Sequence, residues 1–196
     1  MKKSKSLKRN LIEWGIILGV AAFLYLTGLY TEVIGGVQKV VLSTGLMKPN
    51  ILSTDEQFEA DYNFILKSFD GNESYFGELR GKTIFLNLWA SWCPPCRAEM
   101  PTIQNLYNEV KKDTNIVFVL ISLDDDKSNA IQFVKNKKFN LPFYFLVDGI
   151  PSSFSTNTIP TTFVISPEGK IISKEIGMAK YDSDNFQDFL VKSVNY

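Results

Sequence analysis

Apolar residues fall into three patterns along this chain. The first is an unbroken run, Trp14 to Thr31 (W-G-I-I-L-G-V-A-A-F-L-Y-L-T-G-L-Y-T), uncharged throughout and bracketed by Glu13 and Glu32. A helix apolar on every face is not the amphipathic helix of a soluble domain. At 1.5 Å of rise per residue it would reach ~27 Å, just sufficient for a hydrocarbon core. Lys2, Lys3, Lys5, Lys8 and Arg9 precede it with no acid among them, and Trp14, Tyr25 and Tyr30 suit the interfaces. Residues 1–32 therefore read as a cytoplasmic tail and transmembrane anchor. A cleaved signal peptide shows the same order of basic and apolar regions. The exit, Tyr30-Thr31-Glu32-Val33-Ile34, has no A-x-A-like site, however, and no cysteine follows that could carry a lipid. With the lysine-rich end held inside, the remainder would lie on the extracytoplasmic side, where disulfides persist.

The second pattern, residues 33–56, is apolar in part but interrupted by Gly35-Gly36, Gln38-Lys39 and Lys48-Pro49-Asn50. Too short for a second span, it reads as a partly helical stalk.

Strand-like and helix-like runs then alternate over 57–196. Tyr62–Phe69 predicts a strand, with Asp70-Gly71-Asn72 as its hairpin turn, and Glu78–Lys82 a second turn. Thr83–Trp89 (T-I-F-L-N-L-W) has the composition of a central strand buried on both faces. Helical spacing of Met100, Ile103, Leu106, Tyr107 and Val110 predicts a helix from Pro94 to about Lys112. Ile116–Leu123 is a second buried strand, ended by Asp124-Asp125-Asp126. Ser128 is placed to cap a helix carrying Ile131, Phe133 and Val134, with Lys135–Lys138 on a wet face. Pro142–Val147 and Ile159–Ile165 are further strands, and Pro167–Lys170 turns the chain into Ile171–Gly177. Asp182 opens a last helix with Phe186, Phe189, Leu190 and Val194 inward. The order predicts an α/β fold: a central mixed sheet flanked by helices on both faces.

Composition narrows the chemistry. With 45% hydrophobic and 13% aromatic residues the chain can bury a core, and its formal charge of zero gives no sign of nucleic acid binding. No histidine is present. That excludes His-containing zinc sites, Ser-His and Cys-His catalysis, and histidine pH switching. Only two cysteines exist, so a four-thiolate metal site within one chain is excluded as well. Thiol or carboxylate chemistry is left.

Both cysteines lie in Trp92-Cys93-Pro94-Pro95-Cys96, where a strand hands over to a helix, the setting of a redox C-x-x-C. As N-cap, Cys93 would sit at the positive end of the helix, which lowers a thiol pKa. Pro94 and Pro95 have no N–H, so the Cys96 amide is the first that could donate to the Cys93 sulfur. A structural disulfide is the plainer alternative, but so short a loop constrains little chain. Asp124-Asp125-Asp126 could be read as a cation site, yet a solvated strand-to-helix loop accounts for it.

W-C-P-P-C at 92–96 after a buried strand, Pro101 inside the following helix and I-P-T-T-F at 159–163 together resemble the thioredoxin superfamily. Within it, the chain is similar to the membrane-anchored TlpA/ResA-type thiol-disulfide oxidoreductases of bacteria. The resemblance covers about residues 60–192 and extends to the hairpin around 62–80, the insertion around 124–155 and Glu99 after C-P-P-C-R-A. It implies a thioredoxin-like fold and no cofactor beyond the redox-active Cys93–Cys96 pair. Pro160 falls at the family's cis-proline, so Ile159-Pro160 would face the cysteines, exclude metal and, with Trp92, contact substrate. Asn87 stands where thioredoxin itself has a buried aspartate, which leaves any side-chain proton transfer to Glu99. Glu99 as an ordinary solvated helix carboxylate is the alternative.

The implied function is extracytoplasmic reduction of disulfides in exported proteins, as in cytochrome c maturation. The implied location is the bacterial cytoplasmic membrane, with a single pass, the N-terminus inside and a transmembrane thiol carrier as electron donor. A disulfide-forming oxidase and a dithiol metal-delivery module are the competing readings. Strong oxidases of the superfamily tend to carry histidine between the cysteines, where this chain has proline. A metal module would have only two ligands here.

Overall fold

The computed structural model describes residues 3–27, 36–38, 40–42, 44–45 and 47–195. The first element is helix α1 (Lys3–Thr27). Trp14, Leu18, Phe23 and Leu26 are among its exposed large apolar side chains. Residues 28–31 of the expected span lie outside the described residues. Among the described residues no helix is long and apolar enough to cross a membrane.

Residues 47–52, expected as the end of a stalk, are attached to the edge of the domain. Ile51 forms an antiparallel bridge with Ser173, and the Leu52 amide donates to the Ile172 carbonyl (2.9 Å). The Lys180 amide donates to the Met47 carbonyl (3.0 Å). The first strand of the domain, β1 (Phe58–Glu59), continues along the same edge.

The other strands are β2 (Ile65–Ser68), β3 (Glu73–Tyr75), β4 (Thr83–Trp89), β5 (Ile116–Ser122), β6 (Phe143–Leu146), β7 (Thr161–Ile165) and β8 (Lys170–Ile176). They form one mixed sheet in the order β1-β8-β7-β4-β5-β6-β2-β3. Parallel pairing joins β4 to β5 and β5 to β6, and the remaining pairs are antiparallel. All seven residues of β4 are buried, as its unbroken apolar run requires of a central strand. Gly71 turns the β2–β3 hairpin at φ 92°, a conformation glycine adopts without a Cβ penalty.

Helices α2 (Pro94–Val110), α3 (Lys127–Lys137) and α4 (Asp184–Lys192) complete the domain. The expectation of helices on both faces is corrected here. All three contribute to one core layer, with Phe85, Trp89, Ile103, Leu106, Ala130, Val164 and Phe186 in contact. The reason lies in the connections. Strands β4, β5 and β6 are added in one direction, and right-handed crossovers then place α2 and α3 on the same side. The opposite face is closed by aromatic residues of irregular segments. Phe64 stacks on Phe76 (4.3 Å between centroids), Tyr62 tilts against Phe76 (5.2 Å), and Phe154 packs edge-on to Phe163 (5.3 Å).

Two caps differ from those expected. Asp126, not Ser128, caps α3, accepting the Ser128 amide at 2.9 Å. Ser183, one residue after Asp182, occupies the N-cap of α4.

Phe85 on β4 is the joint of the helical layer. It stacks on Phe118 (4.8 Å) and meets Tyr181 (5.2 Å) and Phe186 (6.3 Å) edge-on. Phe85→Ala is expected to cost about 3–5 kcal/mol, read as a lower urea midpoint with unchanged slope.

Candidate active site

Strand β4 ends at Trp89 and α2 begins at Pro94, so the intervening turn carries Trp92 and Cys93 at the edge of the sheet. Cys93 is the N-cap of α2, with φ −86° and ψ 109°. The Cys96 amide donates to Cys93 Sγ at 3.3 Å. Pro94 and Pro95, at the first two helical positions, have no amide to offer. The two cysteines form a disulfide. Cys93 is 3% exposed and Cys96 is fully buried, which makes Cys93 the sulfur that an incoming thiol or disulfide meets. Trp92, 62% exposed, stands beside it, whereas Trp89 is core and packs on Phe143 (5.2 Å).

The Ile159–Pro160 peptide is cis, and the Ile159 carbonyl oxygen lies 3.7 Å from Cys93 Sγ. This loop is tied to the end of β8, because the Gly177 amide donates to the Pro160 carbonyl (2.9 Å). Gly177 has φ 98°, so the turn there favours glycine. Pro101 lies inside α2 and removes the amide that would otherwise bond to the Arg97 carbonyl.

Glu99 is not a solvated helix carboxylate. It is fully buried beneath α2, where Oε1 accepts from Asn87 Nδ2 (2.9 Å) and Oε2 from the Ala179 amide (3.1 Å). Asn87 Nδ2 also donates to Thr162 Oγ1 (2.8 Å). Ala179 is held in place because the next residues are pinned to α2. The Tyr181 amide donates to Thr102 Oγ1 (3.3 Å), and Asn105 Nδ2 donates to Asp182 (2.9 Å). Burial pushes the Glu99 carboxyl up to about 8; the Ala179 amide and then the Asn87 amide pull it back, and the charge of Glu175 adds to the rise. Glu99 is thus protonated at neutral pH while the disulfide is closed. It lies three residues beyond Cys96, so both side chains share one face of α2.

Asp125 and Asp126 are exposed, as expected of a solvated strand-to-helix loop, but Asp124 is not. Asp124 is 7% exposed and accepts from the Ser91 amide (2.9 Å), the Ser91 hydroxyl (2.5 Å) and the Ser122 hydroxyl (2.8 Å). The Leu123 amide donates to the Trp89 carbonyl (2.8 Å), completing a clasp between the ends of β4 and β5. Asp124 therefore fixes the turn that presents Cys93. Among the described residues no group of three or more His, Cys, Asp or Glu could hold a metal ion.

A helix-capping cysteine paired with a buried one, facing a cis-proline, is a thioredoxin-type dithiol centre, and the Redoxin family pattern matches residues 55–190. The chain belongs to the Redoxin family. It is 30% identical over 174 residues, 88% of each chain, to the thiol-disulfide oxidoreductase ResA of Bacillus subtilis. It is 29% identical over 180 residues to ResA of Bacillus cereus, covering 90% of this chain and 91% of that one. Two solved structures share the fold. The thioredoxin domain of a thiol-disulfide oxidoreductase from Bacteroides vulgatus gives a TM-score of 0.58 at 22% identity, with 70% of this chain and 99% of that one covered. StoA from Bacillus subtilis gives 0.53 at 24% identity, with 64% and 94% covered. This Redoxin protein is accordingly a thiol-disulfide oxidoreductase of thioredoxin-like fold.

Sequence reasoning did not single out Thr162, Tyr181, Ala179, Asp124 or Glu175 as part of the site. Thr162 lay in view within I-P-T-T-F. Ala179 acts through its backbone, which no residue type announces.

Two outcomes follow from this geometry. Glu99 has an ordinary value of 4.5 and a folded value of about 8, so folding retains its proton between those limits while the unfolded chain loses it. Stability of the oxidised protein should therefore decline as pH rises through that window and level off above it. Urea midpoints from pH 5 to 9 should show this slope, and Glu99→Gln should flatten it. Asp124→Ala should cost about 2–3 kcal/mol, because it strands the Ser91 amide and two hydroxyls, and should slow reaction at Cys93 in a single-turnover assay.

Proposed function

We propose that this oxidoreductase works as a disulfide reductase on the outer side of a bacterial cytoplasmic membrane. The observation that carries the direction is the sparse support for a thiolate at Cys93. A strong oxidant of this chemistry has a stabilised reduced form. Here one amide, that of Cys96, reaches the sulfur, the two prolines supply none, and the nearest loop atom is the Ile159 carbonyl oxygen, an acceptor that disfavours negative charge. Glu99, once ionised, would add to that cost at Cys96. Such a pair gives up electrons readily.

In the proposed cycle the Cys93 thiolate attacks a substrate disulfide and forms a mixed disulfide. Cys96 then attacks Cys93 and passes its proton to Glu99, which ends protonated, consistent with a carboxyl value of about 8 while the disulfide is closed. No resident cofactor takes part; electrons come from a thiol carrier spanning the membrane. Trp92, Ile159 and Pro160 form the surface against which the substrate chain lies. Cysteines of exported proteins, including the haem-attachment pairs of apocytochromes c, are the substrate class.

The apolar run that begins at Trp14 serves in this reading as a retained single-pass anchor, with residues 1–10 in the cytoplasm. Exposure of Trp14, Leu18, Phe23 and Leu26 along α1 supports it.

Cys93→Ser should abolish reduction of a protein disulfide, whereas Cys96→Ser should accumulate a covalent mixed disulfide visible on a non-reducing gel. Retained activity in Cys93→Ser overturns the cycle. A reduction potential near that of thioredoxin, about −270 mV, supports the reductase direction, and one near about −120 mV reverses it.

A further inference from the structure

The polar contacts around Glu99 continue past Thr162. Asn87 stands opposite Thr162 in the β4–β7 pair, and Thr162 stands opposite Glu175 in the β7–β8 pair. Residues in register point to the same face of a sheet, with Cβ atoms roughly 4.5–5.5 Å apart. Asn87, Thr162 and Glu175 therefore form a row across three strands beneath α2, on the face otherwise lined by Phe85, Trp89 and Val164. At its inner end is Glu99, fully buried. At its outer end Glu175 is half-buried, and its Oε2 accepts the Asn50 amide at 2.8 Å. The Tyr181 hydroxyl is enclosed in the same cluster without a hydrogen-bond partner of good geometry. Packing alone does not call for a carboxylate here; Ile171 and Ile172 on the same strand are apolar and buried.

We propose that Glu175 is the outlet for the proton of Glu99, with the hydroxyls of Thr162 and Tyr181 between the two carboxyls and Asn87 orienting the inner one. This rests on the dithiol cycle given above. When Cys96 Sγ attacks Cys93 Sγ, the Cys93–substrate bond breaks and its electron pair leaves with the substrate sulfur, which takes a proton from water. The proton released by Cys96 resides on Glu99, which has no exposed surface of its own from which to exchange it with solvent. A hydroxyl both donates and accepts, so Thr162 and Tyr181 can pass it on, and Glu175 returns it to solvent. Re-reduction of the disulfide runs the same path inward. Glu175 is in this sense a positioning residue for the proton and does not touch the sulfurs.

The electrostatics agree with the geometry. Titratable groups facing Glu99 are Cys96 on its own helix, Glu175 from β8 and Tyr181 from the segment after it. Lys174 turns to the opposite face, over the ring of Phe163 (5.6 Å), and Asp182 is engaged with Asn105. Burial raises the Glu175 carboxyl above its ordinary value, and the Asn50 amide restrains that rise. Burial likewise raises the Tyr181 hydroxyl, and the charge of Glu99 adds to it.

The test uses the full chain and follows single-turnover oxidation of the dithiol by a disulfide peptide between pH 5.5 and 9.5, in water and in deuterium oxide. A proton outlet is worth less than direct acid–base catalysis, which contributes 10²–10⁴-fold, so Glu175→Gln should slow the step by about tenfold. It should also enlarge the solvent isotope effect and lower the pH midpoint assigned to Glu99. Glu175→Asp should recover most of the rate, which a purely structural role would not require. If Cys93→Ser is inactive and Glu99→Gln is slow, yet Glu175→Gln matches the parent in rate, isotope effect and pH midpoint, the outlet is wrong and the cycle stands. Failure of Glu175→Asp to recover the rate while Glu175→Gln lowers the urea midpoint also overturns it. If Cys93→Ser stays active, the cycle itself falls.

Discussion

A carboxyl buried with two donors holds this site together. Glu99 hangs from α2 and can enter the core only because Asn87 on β4 and the Ala179 amide after β8 receive it. An unpaired buried carboxylate would be very costly, and even paired it is driven toward its neutral form. The requirement binds three separate parts of the chain. Central strand β4 must carry an amide in an apolar run, β8 must be followed by a turn that brings the backbone under the helix, and α2 must lie across both. The cis-proline loop joins the same assembly through the Gly177 amide, so the wall facing Cys93 and the partner of Glu99 are two ends of one segment.

The sulfur chemistry is tuned by what is withheld from it. Proline at the first two helical positions removes donors that a helix N-terminus normally offers, and the capping sulfur is left with one amide. The carbonyl of Ile159 approaches from the other side. Asp124 holds the Ser91 turn between β4 and α2. Positioning and electrostatics are therefore supplied by different residues, which allows each to be altered without the other.

The N-terminal segment meets the domain at its edge. Residues 50–52 run along β8, and the Asn50 amide holds Glu175, so the chain entering the domain touches the strand that carries the outer end of the row beneath α2. An edge strand covered in this way is protected from pairing with another chain. The same contact keeps one side of Glu175 out of water.

Much of this was legible in the residues. The continuous apolar composition of Thr83–Trp89 determined a central strand, since only burial on both faces suits it. Two prolines after Cys93 determined which amide could reach the sulfur, because proline lacks the donor. Absence of histidine determined that the chemistry would be thiol and carboxylate chemistry. The tertiary structure decided what local pattern does not encode. Helices α2 and α3 share a face because β5 and β6 are added in one direction, a property of strand order rather than of any segment. Asp124 read as part of a solvated loop, and the depth of Glu99 was open, until packing enclosed both, since a helix periodicity or a strand end does not state how deeply it is covered. The partners of Glu99 lie 12 and 80 positions away in the chain, and one of them is a backbone amide. Burial and long-range hydrogen bonding are set by the assembled fold, and they turned a helix glutamate into a buried carboxyl held by two donors.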